Sequence, residues 1–111
     1  MGTNRRYPHH AGQLAEERVL REAAQHGPLQ SLTPEQVRYG AVPLTTVPDR
    51  TVVWGLAWLR FGDADVRATV QIRRWTDNAV DVVVDVDGQE QRVWIWRSAC
   101  DPLKNRQDAW S

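Results

Sequence analysis

The pattern of hydrophobic and polar positions predicts helices in the first part of the chain and strands in the second. Good helix formers dominate residues 11–25. Their apolar positions form one narrow stripe, made by Ala15, Val19, Leu20 and Ala23. Thr33 and Gln36 have the spacing of a capping box, which predicts a second, short helix over 34–39. The segment 42–48 contains two Pro residues and is expected to run extended.

Four strands are predicted in succession after this segment, over 52–61, 66–75, 80–86 and 92–97. The Asp87-Gly88 pair between the last two is the strongest hairpin pattern in the chain. All the connections are too short to hold a crossover helix. The sequence therefore predicts an antiparallel meander.

The alternation of side chains differs between the inner and the outer strands of this meander. In the second strand an apolar face is expected opposite a face that carries Arg67, Arg73 and Trp75, and Val and Asp residues alternate in the third. The first and fourth strands are apolar on both faces, so both need cover on the outside. The N-terminal helix and the Pro-rich segment are the available cover.

These patterns predict a mainly β (α+β) fold with an N-terminal helix. A bent meander of four to five strands commonly closes at this length, so we expect a small SH3-like antiparallel β-barrel. A helix packed on an open sheet is the alternative. We expect one domain with three zones: 1–50 with a basic arm, helix and Pro-rich segment, 51–98 with the barrel, and 99–111 as a polar C-terminal tail.

Composition adds three expectations to this picture. The 111 residues carry 14 basic and 14 acidic side chains, and a net charge of zero argues against a protein that coats nucleic acid by bulk charge. The single cysteine, Cys100, cannot form an intramolecular disulfide. Without a signal peptide or an apolar run of about 20 residues, the chain is expected to be cytoplasmic and to have no membrane partner.

Three short motifs stand out along the chain: Met1-Gly2-Thr3-Asn4-Arg5-Arg6-Tyr7, then Leu32-Thr33-Pro34-Glu35 with Pro43-Leu44-Thr45, and Arg92-Val93-Trp94-Ile95-Trp96. In these motifs the chain resembles a group of short actinobacterial proteins of unknown function, over most of residues 1–98. The resemblance implies no activity and assigns no functional residue. It does account for the excess of Arg over Lys, which a GC-rich genome produces without selection for Arg chemistry.

The aromatic and basic residues are the candidates for a binding surface. We expect Trp54, Trp58, Trp94 and Trp96 to be mainly core, because Trp is an efficient filler in a small domain. Trp75 is the better surface candidate, since it continues a polar strand face and follows two Arg residues. The candidate binding residues for nucleic acid or another partner are therefore Arg73, Arg74, Trp75, Arg92 and Arg97, with Arg5 and Arg6 from the N-terminal arm.

The alternative for the Arg residues is an ordinary charged face. Asp81, Asp85 and Asp87 lie on the adjacent third strand and its turn, where cross-strand ion pairs would neutralise the basic patch. Both interpretations remain open at the level of sequence.

No pattern in the sequence indicates a metal site, a cofactor or a catalytic centre. His9 and His10 are adjacent, so they cannot share a helix face, and the Asp85–Gly88 segment lacks most ligands of a calcium loop. Asp101 next to Cys100 disfavours a reactive thiolate. We therefore expect no cofactor and no enzymatic activity.

Two functions are consistent with these features. The first is a non-enzymatic β-barrel binding module that contacts nucleic acid or a protein that handles nucleic acid. The alternative is an interaction or assembly module that buries Trp and Val strand surface against a protein partner or a second copy of this chain, forming a homodimer.

Overall fold

The computed structural model describes residues 8–104. Helix α1 (Pro8–Ala23) continues into a 3₁₀ turn (Ala24–His26), and a short helix α2 (Pro34–Val37) follows. The strands are β1 (Thr45–Thr46), β2 (Val53–Phe61), β3 (Ala64–Trp75), β4 (Ala79–Val86), β5 (Gln89–Trp96) and β6 (Cys100–Leu103). A second 3₁₀ turn (Arg97–Ala99) joins β5 to β6. Within residues 8–104, no helix is both long enough and apolar enough to cross a membrane.

The strands form one antiparallel sheet in the order β5-β4-β3-β2-β6, and β1 pairs with the end of β3. The predicted meander corresponds to β2 through β5 and is confirmed, as is the mainly β class with an N-terminal helix. The Asp87-Gly88 turn has φ angles of 52° and 79°, which the tight hairpin predicted there requires. The capping box of Thr33 and Gln36 is also present.

The prediction of a polar tail after residue 98 is wrong for its first part. Cys100–Leu103 forms β6, which pairs with the outer edge of β2 from Ala57↔Cys100 to Trp54↔Leu103. Pro102 made this segment a poor strand candidate, but an edge strand tolerates Pro because one of its sides needs no backbone donor. The sheet therefore ends on a short strand that the sequence pattern missed.

The hydrophobic core lies against one face of the sheet, called here the core face. Of the described side chains of helix α1, Leu20 and Ala23 belong to it, whereas Val19 of the predicted stripe is 44% exposed. The buried strand residues of the core cluster are Ala57, Leu59, Phe61, Ala68, Val70, Ile72, Val80, Val82, Val84, Val86, Val93, Ile95 and Cys100. They alternate along each strand, as a sheet with one dry face requires.

Strands β3 and β4 are paired over only part of their length, from Gln71↔Val83 to Trp75↔Val80. Helix α1 lies where they separate. The Glu16 carboxylate there accepts hydrogen bonds from the Thr69 backbone N–H at 3.0 Å and from the Thr69 hydroxyl at 2.9 Å. The carboxylate thus supplies an acceptor for a strand N–H beyond the paired part of β3 and fixes the helix to the sheet.

A β-bulge in β3 changes the face on which two candidate residues lie. Ile72 pairs with Val82 but Arg74 pairs with Asp81, so Arg73 is the extra residue. Trp75 consequently lies on the same face as Ile72 and packs against the core cluster to which Ile72 belongs. The predicted common face of Arg67, Arg73 and Trp75 is therefore wrong, because strict alternation holds only up to the bulge.

The four Trp residues expected in the core lie instead on the opposite face, called here the outer face. Trp58 and Trp96 are 53% and 44% exposed, and Trp54 and Trp94 are half-buried. At Gly55 the core face of β2 is too closely packed for a larger side chain, since an added Cβ would lie 2.8 Å from Cys100 Sγ. Small residues therefore occupy the core face of β2 where β6 pairs with it, at Gly55 and Ala57, and the Trp side chains of β2 point outward.

Residues 28–32 bridge the space between β2 and β5. Gln30 N–H donates to the Arg60 carbonyl at 2.8 Å, and Leu32 N–H donates to the Trp94 carbonyl at 2.9 Å. This segment crosses the β2–β3 turn at Gly62, where a Cβ would lie 2.1 Å from the His26 carbonyl oxygen and only glycine fits. These contacts join β2 and β5 to the segment at single positions and do not add a continuous strand between them. The sheet is therefore not closed, and the predicted barrel is not confirmed.

Candidate functional site

A buried carboxylate lies at the centre of the outer face. Asp81 of β4 is only 1% exposed although it lies on the outer face, away from the hydrophobic core. It accepts a hydrogen bond from Arg74 Nε at 2.8 Å and further bonds from Arg92 Nε and Nη2. Arg74 lies directly opposite Asp81 on β3, and Arg92 lies diagonally across on β5. One carboxylate therefore holds two guanidinium groups in defined orientations.

Aromatic side chains enclose the Arg74 guanidinium. Its central carbon lies 5.6 Å from the Tyr39 ring centroid and 5.4 Å from that of Trp94. The two rings meet edge to face at 6.3 Å, and Arg74 Nη1 donates to the Tyr39 hydroxyl at 3.2 Å. Cation–π contacts of this kind fix the guanidinium in place and keep its charge beside the cluster.

Both guanidinium groups stay charged at any ordinary pH. Burial acts to lower the pKa of Arg74, but the hydrogen bonds to Asp81 and Tyr39 and the attraction of the Asp81 carboxylate outweigh it and raise that pKa. The hydrogen bond to Asp81 is the largest influence on Arg92 and raises its pKa, against a smaller opposing effect of burial. The positive charge here does not titrate away.

A cleft of about 250 Å³ adjoins this cluster, and we call it the arginine cleft. Its lining is Thr46, Val47, Pro48, Asp49, Arg50, Thr51, Arg73, Arg74 and Arg92. Val47 N–H donates to the carbonyl of Arg73 at 2.9 Å, so the bulge fixes the loop that forms one wall. Within residues 8–104, neither Arg50 nor Arg73 has an ion pair.

The charges around the arginine cleft do not cancel. Among the described residues, four Arg residues line it, against Asp49 in the lining and the buried carboxylate of Asp81 beside it. Arg50 holds a φ of 64°, a conformation that disfavours residues with a side chain. Such strained positions concentrate at functional sites, and here the strain lies at the wall of a cleft with excess positive charge.

The structure brings together three of the candidate residues and separates the others. Arg73, Arg74 and Arg92 all line the arginine cleft. Trp75 and Arg97 line a different cleft, on the core face of the sheet. Arg5 and Arg6 lie outside the described residues.

This second cleft has a volume of about 370 Å³, and we call it the apolar cleft. It is lined by Val53, Ile72, Trp75, Val80, Arg97, Cys100 and Pro102. Burial and the neighbouring Asp101 carboxylate raise the pKa of the Cys100 thiol to about 11, so this sulfur is protonated and uncharged at physiological pH. Among the described side chains that line the cleft, Arg97 alone carries a charge.

Ion pairing on the sheet follows a different scheme from the one predicted. Asp81 binds two Arg residues, whereas Asp87 pairs with Arg21 of α1 at 3.3 Å. Arg67 pairs with Asp101 of β6 at 2.8 Å. Cross-strand pairing therefore occurs, but it leaves an excess of positive charge where the predicted Arg residues meet.

Sequence reasoning missed Tyr39 and the loop that forms one wall of the arginine cleft, including Arg50. Tyr39 follows α2 and Arg50 follows Pro48, in segments where no periodic pattern assigns a direction to a side chain. The sequence signal that could have identified Arg50 is its position directly after Pro48-Asp49, a pair typical of turns. Only the pairing of β1 with β3 brings this loop beside Arg73 and Arg74.

No three His, Cys, Asp or Glu side chains in the described part of the chain come close enough together to hold a metal ion. Comparisons with protein-family models, curated proteins and solved structures give no match. The resemblance to actinobacterial proteins therefore stays a prediction, and function has to be inferred from the geometry of the two clefts.

Proposed function

We propose that the protein is a non-enzymatic binding module whose arginine cleft holds phosphate groups of a nucleic-acid strand. The observation that carries this proposal is the presence of four Arg residues in the described lining of one cleft, with Asp49 as the acidic residue there. Guanidinium groups bind phosphate oxygens through paired, charge-assisted hydrogen bonds. The two Thr side chains in the lining add neutral donors.

The four Arg residues would have different roles in this interaction. Asp81 and the aromatic rings already orient Arg74, so less conformational entropy is lost when it meets a phosphate. Arg50 and Arg73, without ion pairs in the described part of the chain, are available to contact further phosphates. We infer that each of these two neutralises one phosphate of the strand.

We favour a single strand over a duplex as the ligand. The cleft lies between a loop and the sheet, and its volume of about 250 Å³ suits a flexible backbone better than a rigid double helix. Tyr39, 54% exposed beside Arg74, offers a ring on which a base can stack. The same proposal includes phosphate contacts from Arg5 and Arg6. It also includes an SH3-like barrel as the type of fold and a cytoplasmic location.

Fluorescence anisotropy with a labelled oligothymidylate and a labelled duplex tests this function. We expect binding of the single strand that weakens steeply between about 50 mM and 200 mM salt. Arg73→Ala should lower the slope of log affinity against log salt by about 0.7, the value for one phosphate contact in a single strand. Arg18→Ala is the matched control, because it removes the same charge from the exposed surface of α1.

Arg50→Gly separates binding from folding. Glycine adopts a φ of 64° without strain, so this variant should be as stable as the wild type while its salt slope falls as for Arg73→Ala. If neither oligonucleotide binds at low salt, the proposal is wrong. It is also wrong if Arg18→Ala weakens binding as much as Arg73→Ala and Arg50→Gly do.

A second candidate function is self-assembly through the outer face. The observation that favours it is the exposure of Trp58 and Trp96, which leaves large apolar side chains in water. The zero net charge of the chain imposes no long-range repulsion between copies. Sedimentation over a range of concentrations tests this function: a dimer that Trp58→Ser dissociates supports it, and a monomer throughout contradicts it.

A further inference from the structure

The two ends of the hydrophobic core are closed to different degrees. At one end the chain crosses itself at Gly27 and Gly62, where a Cβ on Gly27 would lie 2.9 Å from Gly62 Cα. Leu29 packs against the core cluster beside this crossing. At the other end β3 finishes and β2 and β4 begin, and the apolar cleft lies there between the strands. The core thus has one sealed end and one open end.

The open end has the properties of a site for a small apolar ligand. Its volume of about 370 Å³ falls within the range of about 300–1,000 Å³ typical of ligand pockets, which often lie at the mouths of curved sheets. Ile72 and Val80 form part of its lining and belong to the core cluster. A ligand placed here would extend the hydrophobic core rather than rest on the surface.

Arg97 gives the apolar cleft a single charge. It begins the 3₁₀ turn after β5, is exposed, and has no ion pair within the described residues. Its backbone N–H donates to the Asn78 carbonyl at 2.8 Å, so the turn that carries the side chain is fixed. We propose that the apolar cleft binds a hydrophobic carboxylate, with its hydrocarbon part among the core side chains and its carboxylate paired with Arg97.

This site is distinct from the arginine cleft. The apolar cleft lies on the core face of the sheet, and the two linings share no residue. The chemistry differs as well, since four guanidinium groups suit a chain of phosphates and one guanidinium beside apolar walls suits a single acid group. Loss of one activity leaves the other unaffected, so the two proposals fail independently.

Calorimetric titration with decanoate and with decanol tests the proposal. The two probes share a hydrocarbon chain and differ in the acid group. We expect Arg97→Met to weaken decanoate binding roughly fivefold, the effect of losing one exposed ion pair, and to leave decanol binding unchanged. Methionine keeps the apolar stem of Arg97, and Arg18→Met is the control for loss of charge elsewhere.

Val53→Trp supplies the second arm of the test, because a large side chain at this half-buried position fills the cleft from its rim. It should abolish the binding of both probes while the circular-dichroism spectrum stays that of the wild type. The proposal is overturned if wild-type protein binds neither probe, or if Arg97→Met leaves decanoate affinity unchanged. The proposal is also overturned if the wild-type protein is a dimer that does not bind decanoate and that Val53→Trp dissociates. The apolar cleft would then be a contact between two copies of the chain.

Discussion

Replacing Asp81 by Asn tests whether the buried carboxylate organises the outer face. Asn has nearly the same shape, but it loses the charge, and its amide group places donors against guanidinium donors. Breaking a buried ion pair from one side costs about 3–5 kcal/mol. Here the partner side chains of Arg74 and Arg92 are 25% and 49% exposed, so both can turn toward water and recover part of that cost. We expect a loss of about 2–3 kcal/mol in the free energy of unfolding.

Urea denaturation followed by Trp fluorescence measures this loss. The midpoint should fall by roughly 1 M or more with an unchanged m-value. Asp85→Asn is the matched control, since Asp85 lies four residues further along β4, is exposed and has no ion pair in the described part of the chain. It should change stability by less than about 0.5 kcal/mol. If Asp81→Asn behaves like this control, Asp81 does not hold the two Arg residues in the way described.

Three further predictions concern the core and the docking of α1. Gly55→Ala should lower stability by about 1–3 kcal/mol in thermal unfolding, because the added Cβ meets Cys100 Sγ at 2.8 Å; unchanged stability would mean that the core yields there. Cys100, with its pKa raised from 9.0 to about 11, should react with a disulfide reagent at pH 8 only as fast as the protein opens, and a rapid reaction of native protein would refute its burial. The Cys100 thiol loses its proton at a higher pH in the native state than in the unfolded chain. The stability that this difference contributes is therefore complete below pH 9 and is lost as the pH rises through 11. Glu16→Gln should lower the free energy of unfolding by about 1–2 kcal/mol and speed amide exchange in α1, because it weakens both hydrogen bonds from Thr69. Glu22→Gln, at an exposed position of the same helix, should have no effect. Equal effects of the two variants would exclude a specific contact of Glu16.

Local sequence chemistry was enough to predict most of the secondary structure. The Asp87-Gly88 turn, the capping box at Thr33 and the alternation of Val residues in β4 each depend on neighbours within a few positions. Connections of two or three residues between β2 and β5 leave antiparallel pairing as the available topology. Predictions of this kind succeed because the deciding interactions are close along the chain.

The orientation of β2 could not be obtained in that way. Both of its faces are apolar, so alternation does not tell which one faces the core. The choice depends on how closely Cys100 and Ile72 approach Gly55, and these contacts come from distant parts of the sequence. For the same reason the exposure of Trp58 was not predictable.

The candidate site was predictable only as a set of residue types. The sequence by itself determined that Arg73, Arg74 and Arg92 are basic residues on strands close to Asp81 along the chain. The tertiary structure decided which of them meet. The bulge at Arg73 sends Trp75 to the core face, and the pairing of β1 with β3 brings Arg50 to the same cleft. A bulge and a long-range strand pairing depend on the fit of the whole sheet, whereas charge and alternation are properties of the local chain.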